Sequence, residues 1–208
     1  MEPVPICARA APFAAFILFL AAFPDSPLVR GLAAALLLAI FWRQYGEFRV
    51  PLGRGHALIA IIVGALVFVA WIALDVEWAR FGDERVGYAP LAAGGAIDWP
   101  RAAARFVVLA AIVPVMEELF WRSFLMRWID ARDFRSLDAR RVSRVAFVLA
   151  AALFALEHSL WLAGLIAGLA YAGLYITTNN LRAPVLAHAV TNAILGLWIV
   201  ATGSWHLW

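Results

Sequence analysis

The sequence predicts an all-α protein, a polytopic integral membrane helical bundle of about seven transmembrane helices in a single domain over residues 1–208, and three observations carry that prediction. Hydrophobic residues make up 65% of the 208 positions and charged residues only 15%, against about 25% charged in soluble domains. Mean hydropathy is +0.85. The apolar residues also fall in runs bounded by charge, Pro or Gly, several of them near the roughly 20 residues a helix needs to cross a bilayer. Seven such helices take up roughly 140 positions, which leaves no room for a sizeable extramembrane domain and excludes a water-soluble globule.

The runs lie at residues 10–23, 28–42, 55–74, 101–126, 145–158, 161–179 and 184–204. The first follows Arg9 in the manner of a secretory signal, but no A-x-A-like site follows it and further apolar runs come after, so a retained span is expected. The third is the cleanest: Gly55 to Leu74 holds no charge, and its length at 1.5 Å per residue gives about 30 Å, the thickness of the hydrocarbon core. The second and fifth are short, and either is brief enough to be a buried helix that stops inside the bilayer.

All 17 basic residues are Arg and the net charge is +3. In a soluble protein that balance points to nucleic acid; in a membrane chain it marks cytoplasmic loops, and no nucleic-acid partner is expected. Arg43, Arg49 and Arg54 against Glu47 separate the second and third runs. Arg127, Arg132, Arg135, Arg140, Arg141 and Arg144 against three Asp separate the fourth and fifth. The 75–98 loop instead carries Asp75, Glu77, Asp83, Glu84 and Asp98 against Arg80 and Arg85. These loops alternate sides correctly for an N-terminus in the cytoplasm and a C-terminus outside. Trp42, Trp78, Trp99, Trp128, Trp161, Trp205 and Trp208 fall near run ends, as an interfacial belt places them. Cys7, the lone cysteine, forms no internal disulfide and matches no metal motif.

Ionisable side chains at bilayer depth are functional candidates by default. Those in the runs that stand out are Glu117, Glu118 and Arg122 in the fourth, Glu157 and His158 ending the fifth, and His188 with Asn192 in the seventh. Adjacent glutamates point about 100° apart on a helix, and Arg122 follows Glu118 by one turn, so those two can pair. Glu117 is then left on a neighbouring face without a cation of its own, suited to general-base work. Pro114 removes the hydrogen bond to the Ala110 carbonyl and is placed to kink the helix beside the glutamates. His188 and Asn192, four apart, share a face and can donate to one point, which is what an oxyanion needs. Glu157 faces away from His158 and reads as solvated or structural. Gly164, Gly168 and Ala172 form a small-residue stripe that reads as helix packing. Helical rise puts Glu117 about 15 Å, His188 about 9 Å and His158 about 21 Å from the arginine-rich edge, so the three are expected to meet in the cytoplasmic half, with substrate entering from that side.

The set Glu117-Glu118-x-x-x-Arg122, Phe154-x-x-x-His158 and His188-x-x-x-Asn192, on three successive apolar segments, resembles the CAAX protease and bacteriocin-processing (CPBP) family of intramembrane proteases. The resemblance covers residues 100–205, and the end of the chain, LGLWIV followed by TGSW, is similar to an exosortase-associated, CAAX prenyl protease-related branch. It implies a glutamate-type endopeptidase acting on a membrane-associated protein or peptide. Glu117 and His158 then activate water, His188 and Asn192 stabilise the oxyanion, and Glu118 and Arg122 support the site. It also implies a bacterial cytoplasmic membrane and association with a protein-sorting system. A zinc site at Glu117, His158 and His188 is chemically conceivable, but without HExxH, and with Asn192 better suited to an oxyanion than to a ligand role, no cofactor is expected. The competing reading is a non-catalytic bacteriocin-immunity or sorting-accessory membrane protein in which the same residues only brace the bundle. A proton-relay transporter lacks the inverted repeats and paired broken helices it would need.

Overall fold

The computed structural model describes residues 3–82 and 87–208, so Asp83, Glu84 and Arg85 of the acidic loop lie outside the described residues. The helical rods are α1 Pro3–Ala22, α2 Pro27–Ile40, α3 Arg54–Ala73, α4 over 99–130, α5 Arg144–Ala155, α6 Trp161–Thr178 and α7 Arg182–Thr202. Among the described residues the only β pairing is an isolated bridge between Leu91 and Ile97. The protein is all-α, and each rod coincides with one apolar run.

Helices α1, α3, α6 and α7 are long and apolar enough to cross a membrane. Their outer faces present Leu18, Leu66 and Leu197, and α2 and α5 add Leu36 and Val145, each more than 60% exposed. A belt of this kind is untenable in water but is the natural contact with lipid, and the protein is an integral membrane protein. Two rods are shorter. Helices α2 and α5 have 14 and 12 residues, about 21 and 18 Å of rise, less than the hydrocarbon thickness. The expected span 145–158 is therefore a short helix followed by a turn. Glu157 and His158 sit in that turn, which is tied to the segment after α3 because Phe81 N donates to the Ser159 carbonyl at 2.7 Å.

Helix α4 is the irregular one. Asp98 caps it by accepting from Arg101 N. Two π-helical segments, Val108–Ile112 and Leu119–Leu125, flank the α-helical Val113–Glu118. Pro114 supplies the reason for the first. In the π register Val113 N bonds the Val108 carbonyl, so the carbonyl that Pro114 leaves without a donor is Leu109, one residue earlier than an α register predicts. Asn192 Nδ2 on α7 fills that vacancy at 2.8 Å.

Close packing depends on small residues. Helix α3 lies along α7 and α5 along α6. A Cβ on Gly64 would stand 2.4 Å from the Ala187 carbonyl oxygen, and one on Gly168 would stand 3.0 Å from that of Ala151. The Gly164, Gly168 and Ala172 stripe thus does what its spacing predicts: Gly164 and Gly168 bring α6 against α5 and the His158 turn.

At the arginine-rich end, α1, the loop after α2 and α4 are clamped by one carboxylate. Arg9 is 2% exposed, and its Nη2 reaches both Glu47 oxygens at 2.6 and 2.7 Å. The Ser123 hydroxyl donates to Glu47, and Arg127 Nη2 lies 3.3 Å from it. Burial pushes the Glu47 carboxyl up, but Arg9 and the hydrogen bonds from Ser123 and Arg9 outweigh it and hold the group below its ordinary 4.5. A carboxylate depressed by folding stabilises the fold above its unfolded value, and the gain is lost as pH falls through the folded one. The melting temperature in detergent is therefore expected to drop as pH falls below 4.5. Glu47→Gln should melt lower at neutral pH and show a flatter acid limb; an unchanged limb would remove this account.

Candidate active site

Helix α4 brings Glu117 and Glu118 into the bundle on adjoining faces, and the two meet different neighbours. Glu118 has no exposed surface. Its Oε2 lies 3.2 Å from Arg122 Nε one turn on, and its Oε1 accepts from His188 Nδ1 at 3.0 Å. The Arg122 guanidinium lies 4.3 Å over the Phe154 ring, with Nη2 donating to the Gly168 carbonyl at 3.4 Å. The His188 ring stacks on Tyr171 at 5.0 Å and 19°. Tyr171 donates to the Thr191 hydroxyl at 2.7 Å, which in turn donates to the Gly64 carbonyl at 2.8 Å. His188 is thereby fixed through Nδ1 and one ring face, leaving Nε2 free.

Glu117 makes none of these bonds. It is 8% exposed, and its Oε2 is buried without a hydrogen-bond partner. His158 Nδ1 lies 2.9 Å from the Phe154 carbonyl. A carbonyl only accepts, so Nδ1 carries the proton and Nε2 keeps its lone pair. Phe154, 4.7 Å away, and the edge of Trp71, 5.3 Å away, hold the ring.

Glu117, His158, His188 and Asn192 all line a single cavity of about 190 Å³. Residues from two helices, α4 and α7, and one turn therefore converge on common space, while Glu118 and Arg122 stand behind it. Glu157 is exposed and lines an adjoining cavity of about 290 Å³, which shares Trp71, Arg105, His158, Leu207 and Trp208 with the first. The direction of access differs from the expectation. From Glu117 and His188 the lining runs to Trp71, Arg105, Leu207 and Trp208, at the end that carries the 75–98 loop and the 203–208 segment, not to the arginine-rich end. The physical reason is the short α5: it stops at Ala155, which places His158 in a turn beside Ser159 and Phe81, and the space beyond stays open.

Residues that motif reading passed over complete the walls. Tyr171 and Thr191 orient His188, and Trp71 braces His158. An apolar stretch gives no mark that one tyrosine or threonine is bonded to a neighbouring helix. Arg30 and Arg105, both inside apolar runs, were visible as charges in the sequence and lacked only a motif.

Among the described residues no three His, Cys, Asp or Glu groups stand close enough together to hold a metal ion. The Glu117, His158 and His188 set does not fit zinc in this arrangement.

Neither a curated protein nor a solved structure matches the chain. Residues 99–194, which hold all three motifs, match the family described as Type II CAAX prenyl endopeptidase Rce1-like. That family is one of proteases, and the stretch of this membrane protein that is similar to it, residues 99–194, is the one that carries the three motifs.

Proposed function

We propose that the protein is a metal-free intramembrane endopeptidase that cuts a membrane-associated peptide in the Glu117 cavity. The observation that carries this reading is the shared lining by Glu117, His158, His188 and Asn192, with a free carboxylate oxygen on the first. A water between Glu117 and His158 gives its proton to the Glu117 carboxylate, while His158 Nε2 accepts its second hydrogen and aims its lone pair. Hydroxide adds to the scissile carbonyl carbon. The oxyanion receives hydrogen bonds from Asn192 and His188. Asn192 Nδ2 has two hydrogens; one serves Leu109, the other is free for the cavity. His188 Nδ1–H already serves Glu118, so Nε2 donates only as part of an imidazolium, and the Glu118 carboxylate is the counter-charge such a ring needs. Glu117 then returns its proton to the leaving amine as the C–N bond breaks.

In this reading the arginine-rich loops lie in the cytoplasm and the cavity faces outward, in a bacterial cytoplasmic membrane, where a sorting system presents its substrates. The test is cleavage of apolar peptides embedded in proteoliposomes, detected by mass spectrometry as new chain ends. Asn192→Ala is expected to lower kcat by about 10²–10³, the usual effect of losing one oxyanion donor. Equal turnover by wild type and Asn192→Ala, or none by wild type on any peptide, would overturn the reading.

A further inference from the structure

Arg105 is the one cation on the cavity wall whose role the chemistry above leaves unassigned. It sits on α4 about 9 Å in from Trp99 by helical rise and lines both the catalytic cavity and the adjoining one. Its Nε is buried without a partner. Its guanidinium lies 4.8 Å from the Tyr88 ring and 5.7 Å from that of Trp208, an aromatic pair that holds it in place. Tyr88 and Trp208 are themselves joined, Tyr88 N donating to the Trp208 carbonyl at 3.2 Å.

Among the described residues no carboxylate pairs with Arg105. Asp75 is taken by Arg80 and His206, and Asp98 by Arg101. Glu157 lines the adjoining cavity without forming an ion pair with Arg105. Arg30, on α2, is 4% exposed; it also has an orphaned Nε and adds positive potential beside Arg105. Arg30 has Asp25 as a neighbouring charge and donates to the Pro24 carbonyl, whereas Arg105 has no such counter-ion among the described residues, an expensive arrangement, since a buried charge is normally paired. The cavity connects this unpaired charge to the catalytic groups.

We propose that Arg105 is an anion-binding specificity residue that takes a carboxylate carried by the substrate peptide. The inference rests on the peptidase reading for the identity of the ligand as a peptide, although binding tests it independently of turnover. Twelve residues of α4 separate Arg105 from Glu117, about 18 Å. At about 3.3 Å per extended residue, and allowing for the reach of the arginine, the carboxylate lies roughly three to five residues from the bond cut. It is either the peptide's own end or an Asp or Glu side chain at that distance. Guanidinium and carboxylate match as a planar two-point pair, which an ammonium does not reproduce.

The test uses the full chain in detergent and dansyl-labelled apolar hexapeptides of three kinds: one with a free carboxyl end, one amidated with a terminal Asp, and one amidated and neutral. Wild type is expected to bind at least one carboxylate-bearing peptide about tenfold or more tighter than the neutral one, as a charge-assisted hydrogen bond gives. Which acid gains identifies the source of the carboxylate. Arg105→Gln should bind all three alike, and Arg105→Lys should keep part of the preference, which guards against a variant that fails to fold. The proposal is overturned if wild type binds acid and neutral peptides equally, or if the preference survives in Arg105→Gln. It is also overturned if phosphatidylglycerol, and not the peptide carboxylate, gives the Arg105-dependent binding. An acid preference without any turnover leaves this inference standing and removes the peptidase reading; turnover without the preference does the reverse.

Discussion

Replacing Glu117 by glutamine is expected to lower peptide cleavage by at least about 10³-fold, within the range a positioned general base supplies, while the melting temperature in detergent holds or rises. The two halves of that result come from one fact: Glu117 Oε2 is buried and makes no hydrogen bond, so the fold gains nothing from its charge. The amide is nearly the same shape, removes a charge from a largely buried position and cannot take a proton from water. Active-site groups of this kind are often held at a cost in stability. His188→Ala should abolish cleavage as well, with a modest stability loss because the ring is stacked on Tyr171 and bonded to Glu118. A bracing role for the same residues, as in an immunity or sorting-accessory protein, predicts the opposite for Glu117→Gln: a clear loss of stability. Full turnover by Glu117→Gln, or its collapse on purification, would remove the assignment.

Its neighbour should behave in the reverse way. Glu118→Ala leaves Arg122, 2% exposed, without its carboxylate, and breaking a buried pair by removing one partner costs about 3–5 kcal/mol. Urea or thermal unfolding in detergent should show a loss of that order, the largest of any variant named. The double variant Glu118→Leu with Arg122→Met replaces both charges by apolar groups and should recover most of the loss. It should not recover cleavage, because His188 has then lost the carboxylate that orients Nδ1 and balances an imidazolium. A single Glu118→Ala variant as stable as wild type would show that Arg122 finds another anion or water.

Much of this contrast is already legible in the chain. Two adjacent glutamates with an arginine one turn after the second must split between a paired and an unpaired face, because a helix turns about 100° per residue. The motifs His158, His188 and Asn192 were equally visible, since ionisable and amide groups in apolar runs are conspicuous. Other residues were not. Tyr171 and Thr191 matter through a hydroxyl chain that ends on the Gly64 carbonyl, and no local pattern records a bond between helices 127 positions apart. Asn192 was read for its free donors, yet one of them closes the gap that Pro114 opens at Leu109.

The solvent, the all-α class, the order of the rods and the identity of the polar groups could all be read from the residues in order, because transfer of apolar surface and helical periodicity are local properties that add along the chain. Packing settled where α5 ends, which carbonyl the proline orphans, and that the cavity reaches toward the acidic-loop end past Trp71 and Arg105. Those outcomes depend on how packed helices of unequal length leave space between them, and that space belongs to no single segment.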